Sequence, residues 1–144
     1  KTLSMAVDLH EDRSRDGYIN KSPDGCVKRH GKSLNETINN IRHSEFFIGL
    51  ASGLSWLAWT LEKHVVMING MSEPWHEFQD KCIHVFNTDK NVCTGCYHSD
   101  ETLRLQGDWG ICPEHQNTKR QFECTKTIKP PMIFSAIDNV LSDI

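Results

Sequence analysis

The sequence has no surplus of basic charge: 16 Lys and Arg stand against 19 Asp and Glu, a formal net charge of -3 at pH 7. Without that surplus the chain has little to hold a phosphate backbone, so nucleic acid is not an expected partner. A long apolar run is also missing. The least polar stretch, Phe46 to Leu61, lies between Glu45 and Glu62 and carries Gly49, Ser52, Gly53 and Ser55. It is shorter than the roughly 20 residues a bilayer helix needs and reads as buried soluble structure, so no membrane is expected either. Nor is there a charged start followed by an apolar run and a small-residue cleavage site, so nothing argues for secretion. A reducing cytoplasm is then the expected compartment. Internal repeats and low-complexity segments are absent.

What is present suffices for one domain with a real core. The chain has 144 residues, of which 38% are hydrophobic and 24% charged, close to the balance of a soluble globular protein. Disorder throughout is excluded on that ground. The first residue is Lys1, and Thr2-Leu-Ser-Met-Ala-Val-Asp8 reads as a strand in mid-domain, so the chain is expected to be part of a longer protein.

Along the chain, Leu9 to Lys32 is polar and broken by turn formers at Asp16-Gly17, Pro23, Asp24-Gly25 and Gly31, which predicts loop with at most one short strand. Ser33-Leu-Asn-Glu36 has the form of a capping box, and Leu34, Ile38 and Ile41 follow on one helical face. Phe46-Phe-Ile48 suits a buried strand ended by Gly49. Ser52 or Ser55 can cap a helix running to about Glu62, with Leu54, Leu57, Ala58 and Leu61 toward the core. Val65-Val-Met-Ile68 is the next buried strand. Strand and helix alternating with short connections predict a βαβ unit and a parallel sheet. From Asn87 to Thr127 the chain is polar, cysteine-rich and without periodicity, and Pro130-Pro131 then open a final amphipathic helix with Ile133, Ile137, Val140 and Leu141 available for packing. The expected organisation is a partial α/β domain over 1–86, a four-cysteine segment over 87–127, and a helix over 128–144 that packs back on the first part.

Chemistry concentrates in three places. Cys93-Thr-Gly-Cys96 is followed by Cys112 after fifteen residues and by Cys124 after eleven more. A close pair lets two thiolates converge on one tetrahedral cation, Gly95 suits the turn between them, and two wider-spaced thiolates can complete the cage. Four sulfurs leave no position for water, so such a metal is structural. Two disulfides, or unconnected buried thiols, are the alternative. Spacing does not separate zinc from iron. His98 and His115 lie beside this cluster and can replace a cysteine or simply face solvent, while Cys26 and Cys82 read as isolated thiols. The second place is Gly49-Leu-Ala-Ser-Gly-Leu-Ser-Trp56, a small-residue loop between strand and helix. It can aim backbone N–H groups and the hydroxyls of Ser52 and Ser55 at an anion, or it can serve only tight packing. The third is Glu73-Pro-Trp-His-Glu-Phe78, two carboxylates and an imidazole after the Val65 strand, where α/β proteins keep ligand loops, although ordinary loop charges explain them as well. The sequon Asn35-Glu-Thr37 falls in a helix and is set aside.

Taken together, Phe46 to Trp59, the strand and loop ending Glu77-Phe78, the Cys93/Cys96 pair, Ile111-Cys-Pro-Glu-His115 and Thr118-Lys-Arg-Gln-Phe-Glu-Cys-Thr125 resemble the bacterial autotransporter heptosyltransferases, in order and over nearly the whole chain. The resemblance implies an α/β fold: an incomplete Rossmann-like C-terminal half of a GT-B glycosyltransferase, with a four-cysteine metal-binding segment. It implies transfer of heptose from ADP-heptose to serine hydroxyls of an autotransporter adhesin, in the bacterial cytoplasm, by an enzyme whose N-terminal half faces this one. It makes Cys93, Cys96, Cys112 and Cys124 ligands of one structural metal ion, iron by resemblance, with zinc as the alternative. It makes Ser52, Gly53, Leu54 and Ser55 the loop at the sugar-nucleotide diphosphate. Where the related lipopolysaccharide enzymes read Asp-Thr-Gly-Leu-Ser-His, this chain has Ala51 for the aspartate and Trp56 for the histidine. No matching motif supplies a catalytic residue, so the chain alone is expected to be inactive. A homo-oligomer is compatible with the resemblance. The competing reading is a truncated, non-catalytic metal-binding module that supports protein contacts.

Overall fold

The computed structural model describes residues 6–7, 22, 24–29, 31–98 and 112–144. The chain divides into two compact units, residues 1–40 and 41–144. In the first, β1 (Ala6–Val7) pairs in parallel with β2 (Val27–Lys28), Ala6 opposite Val27. The strand expected from Thr2 to Asp8 is described only at these two residues. Its partner is β2, the one short strand allowed in the polar stretch, and not the strand near Phe46. The rest of both expected segments lies largely outside the described residues.

Helix α1 (Leu34–Arg42) begins as its capping box predicts. Glu36 N–H donates to Ser33 Oγ at 3.3 Å, and Ser33 N–H and Oγ donate to Glu36 Oε2 at 3.1 and 3.0 Å. These bonds, the backbone one first, hold the Glu36 carboxyl below the usual carboxylate range. The expected apolar face is realised only at its end: Leu34 is exposed, Ile38 half-buried and Ile41 buried.

The second unit is built on a parallel three-stranded sheet of order β3-β4-β5, with β3 at Phe47–Leu50, β4 at Val65–Ile68 and β5 at Cys82–Val85. Phe47, Val65 and Cys82 align across it, as do Leu50, Ile68 and Val85. Strand β4 is central, and its unbroken Val-Val-Met-Ile run is the signature of a strand covered on both faces. Val65 and Met67 enter one apolar cluster with Ile41, Ala58 and Phe78, while Val66 enters another with Val85, Ala136 and Val140. That alternation is the two-residue repeat of a strand.

Between β3 and β4 lies α2 (Gly53–Thr60), which covers the first face. The expected inward set is partly corrected: Ala58 is fully buried, and Leu57, Trp59 and Leu61 pack on the cluster, but Leu54 is not among its members. Because nearly every residue of α2 is apolar or small, its sequence could not specify one inward stripe. The helix ends without glycine. Glu62 takes the left-handed conformation (φ 64°), its N–H bonds Trp59 O at 2.9 Å, and Lys63 N–H bonds Ala58 O at 3.1 Å. This is the 6→1 and 5→2 pairing that closes a helix.

Strand β3 also departs from expectation, running through Gly49 instead of stopping there, and β5 was not foreseen. Helix α3 (Glu123–Lys126) is short, and α4 (Pro130–Asp143) starts with both prolines in its first turn. Helix α4 covers the second sheet face with Ala136 and Val140 buried and Met132, Ile133 and Ile137 half-buried. Leu141, expected inward, is exposed, and Ala136 takes its place. No helix among the described residues is long and apolar enough to cross a membrane.

Candidate functional site

Parallel strands put all their carboxyl ends on one edge, and the loops leaving that edge are where an α/β sheet meets ligands. From β3 the chain passes through Ala51 to Ser52, the N-cap of α2, which has extended backbone (φ -154°, ψ 171°) and makes no side-chain cap bond. Ser52 and Gly53 are exposed and Leu54 is half-buried. Ser55 differs. It is fully buried, its hydroxyl donates to Leu50 O at 2.6 Å, and its N–H donates to Ser52 O at 3.1 Å. The two hydroxyls grouped by the sequence are therefore divided, one open and one tied to the strand.

The glycines divide in the same way. A β-carbon on Gly49 would lie 2.5 Å from the Phe47 ring and 2.6 Å from Ser55 Oγ, so Gly49 is required for close helix–strand packing. A β-carbon on Gly53 would meet nothing within 4 Å, and Gly53 is not left-handed. Neither crowding nor backbone geometry within the fold accounts for that glycine. It leaves the first-turn N–H groups of α2 approachable from outside.

The loop leaving β4 is anchored from below. Asn69 is buried, its N–H bonds Val85 O at 2.8 Å, and its side chain reaches Ser72 Oγ at 3.1 Å and His84 Nδ1 at 2.8 Å. His84 Nε2 lies 3.1 Å from Phe78 O. Farther along, Glu77 Oε2 accepts a hydrogen bond from Trp56 Nε1 at 2.9 Å, which joins this loop to α2. The Trp56 ring meets Phe78 edge-on at 5.2 Å, and Trp59 stacks on Phe78 at the same distance. Trp56 thus braces the Glu73–Phe78 loop against α2.

The cysteine segment sits directly on that loop. Tyr97 N–H bonds Met71 O at 3.0 Å, and a β-carbon on Gly70 would lie 3.6 Å from Cys124 Sγ. Gly95 has the left-handed φ of 76° that the Cys93–Cys96 turn calls for, and a side chain there would run into the Glu73 carboxylate. All six cysteines are free thiols, so the disulfide alternative is not realised. Cys112 is buried, and Cys93, Cys96 and Cys124 are half-buried.

These four thiols act on one another. Burial raises Cys96 to about 11, with the charges of Cys124, Cys93 and Cys112 adding to it. Burial also raises Cys93, helped by Glu114, Cys112 and Glu123, and it raises Cys124, helped by Cys112 and Cys93. Crowded thiols that resist ionisation are what a bound cation relieves, since a coordinated thiol gives up its proton. The donor set, four sulfurs, suits iron or zinc. As placed, no three His, Cys, Asp or Glu side chains among the described residues form a group that could hold a metal ion.

Cys82 lies apart, packed against the first cluster, and burial, with the Glu77 charge adding, pushes its thiol up to about 12. Cys26 is half-buried. His115 stands 3.9 Å from Glu123 Oε1 rather than facing only solvent, while the side chain of His98 lies outside the described residues. Two features escaped the sequence reading, the Trp56–Glu77 bond and the Arg120–Glu123 pair. Only the second left a trace, as opposite charges three residues apart.

No family model matches the chain. Among curated proteins it is 44% identical over 107 residues to autotransporter heptosyltransferase BAHTCr of Citrobacter rodentium, which covers 74% of this chain and 25% of that protein. It is 42% identical over 126 residues to autotransporter heptosyltransferase TibC of Escherichia coli O78:H11, covering 86% of this chain and 30% of TibC. The chain thus spans between a quarter and a third of the length of these relatives. Among solved structures it matches dodecameric, iron-containing TibC in complex with ADP-D-β-D-heptose, with a TM-score of 0.75 at 36% identity, over 96% of this chain and 36% of that one.

Proposed function

Because this chain belongs to the autotransporter heptosyltransferase family, we propose that it is the donor-binding part of a GT-B glycosyltransferase that moves heptose from ADP-heptose to serine hydroxyls of an autotransporter adhesin. Gly53 carries the reading: an exposed glycine at a helix start, on the ligand edge of the sheet, with no packing or backbone reason of its own. The diphosphate lies against the backbone of Ser52, Gly53 and Leu54, where helix N–H groups favour an anion. Ser55 contributes by holding the turn, since its hydroxyl is bound to Leu50 O.

Cys93, Cys96, Cys112 and Cys124 hold one iron ion, supported by their mutual electrostatics and by iron-containing TibC. When bound, the ion closes the polar segment that lacks a hydrophobic core, and with four sulfur ligands it has no open position for substrate. The catalytic base and the acceptor surface belong to the facing N-terminal half. The cytoplasm is the expected site of action, and dodecameric TibC makes a homo-oligomer the natural assembly. A non-catalytic module is less well supported, because BAHTCr and TibC, the relatives at 44% and 42% identity, are named as heptosyltransferases.

The test is an ADP titration of Gly53→Val against the parent, in a protein long enough to include both faces of the cleft. The side chain enters open space, so folding should be retained, while the phosphate should be displaced. The expected loss is at least about tenfold in affinity, about 1.4 kcal/mol. Equal affinities for two folded proteins would remove this loop from the donor site.

A further inference from the structure

We propose that Glu123 is the positioning residue of the cysteine site, its carboxylate fixing the Cys93–Cys96 turn against the helix that carries Cys124. The inference rests on the four-cysteine metal reading and adds to it a residue outside the ligand set.

The two halves of the site come from segments about thirty residues apart in the chain, and polar bonds tie them together. Glu123 Oε1 accepts the Cys93 N–H at 2.8 Å, and Glu123 is the immediate neighbour of Cys124 on α3. One carboxylate therefore touches the backbone of one ligand while it is covalently next to another. Arg120 holds that carboxylate in place: Nε donates to Oε1 at 3.1 Å and to Oε2 at 3.0 Å, and Nη2 also donates to Asn91 O at 3.0 Å. The guanidinium thus grips both the carboxylate and the chain two residues before Cys93. A forked pair of this kind fixes orientation as well as distance.

Chemistry explains why the pair occurs together. A lone carboxylate beside four thiolates would repel them, and a cation fixed to it offsets that charge while Oε1, shared with the guanidinium, still accepts the Cys93 N–H. The Glu123 side chain is 17% exposed and that of Arg120 51%, so the acid faces the site and the base covers it. Asn87 Nδ2, which donates to Thr127 Oγ1 at 2.8 Å, makes a second tie between the same segments. That tie lies at the far end of α3 and does not touch a cysteine backbone.

Cobalt(II) provides a probe with a readout independent of activity. The full chain and its Cys93→Ser, Glu123→Ala, Glu123→Gln and Glu123→Asp variants are loaded with cobalt, and the thiolate-to-metal and ligand-field bands are recorded along with the rate of cobalt transfer to a chelator. Partners that orient a metal ligand are typically worth about 10–100-fold in retention, so Glu123→Ala should release cobalt faster by that order and with altered ligand-field bands. Glu123→Gln keeps an acceptor for the Cys93 N–H and should recover most of the parent behaviour. Parent spectrum and rate in Glu123→Ala would overturn the positioning role, and loss of cobalt in Cys93→Ser would at the same time show the metal reading intact. If the parent itself takes up no cobalt, both fall. Should Glu123→Ala fail to fold, Glu123→Asp decides, because it keeps the charge and withdraws the carboxylate by one methylene: a parent-like rate there overturns the proposal.

Discussion

Gly49 and Gly53 are four residues apart and chemically identical, yet their substitutions should act in opposite directions. Gly49→Ala drives a methyl into Phe47 and the buried Ser55 hydroxyl. Overpacking of that kind costs about 1–3 kcal/mol. Gly53→Ala fills open space at the start of a helix and should stabilise the fold by about 0.5–1 kcal/mol, since alanine loses less entropy there than glycine does. Urea midpoints of the two variants test the contrast, and equal shifts would contradict it. Cys82 makes stability depend on pH. Its folded thiol titrates near 12, above the ordinary value of 9.0, because burial penalises the thiolate and Glu77 adds to that. Between those two values the folded state keeps a proton that the unfolded state releases, so this contribution is complete below about pH 9 and is lost as pH rises toward 12. The steepest loss approaches about 1.4 kcal/mol per pH unit. Parent and Cys82→Ala stabilities, compared across pH 8–11, should converge on raising the pH, and a constant difference would count against the assignment.

Among the elements, those legible in the sequence were the ones whose local chemistry and packing agree. The Ser33/Glu36 box forms as written, Val65–Ile68 is a strand covered on both faces, and the two prolines open α4. Strand β5 was not legible because Cys82-Ile-His-Val85 mixes apolar and polar residues in a run of four, and its histidine is satisfied only by Asn69 and Phe78 from the neighbouring loop. Such partners are tertiary, and no local pattern announces them. The end of α2, expected near Glu62, falls there without a glycine to mark it, because Glu62 itself takes the left-handed conformation. In the site, the sequence grouped Ser52 with Ser55 by residue type, and only the packing of α2 on β3 separates them. Central placement makes β4 the element most sensitive to truncation. Met67 is fully buried, and Met67→Ala should cost about 2–5 kcal/mol in denaturant unfolding. A cost below about 1 kcal/mol, the level of a well-tolerated core swap, would mean that the cluster of Ile41, Ala58, Val65, Met67 and Phe78 is not the core of this unit.

Across the second unit, the start of α2 and the loop leaving β4 lie on one edge of the sheet. The open start of α2 is suited to an anionic donor, and the loop from Asn69 to Phe78 beside it is braced by Trp56 on one side and by the cysteine segment on the other. That segment has few apolar residues to offset its own ordering entropy, so an ion closing the four thiols, as proposed, would steady its contact with the loop. A structural ion there would act on donor binding at a distance, by keeping the Met71 and Glu73 region in place, with no part in the chemistry of transfer. For that, the four thiols must act as one ligand set. The most direct measurement is the metal content of the purified parent set beside Cys93→Ser/Cys96→Ser and beside Cys26→Ser and Cys82→Ser. One ion per chain in the parent and in the two single variants, with none in the double variant, is the predicted result; a full ion retained without Cys93 and Cys96 would contradict it.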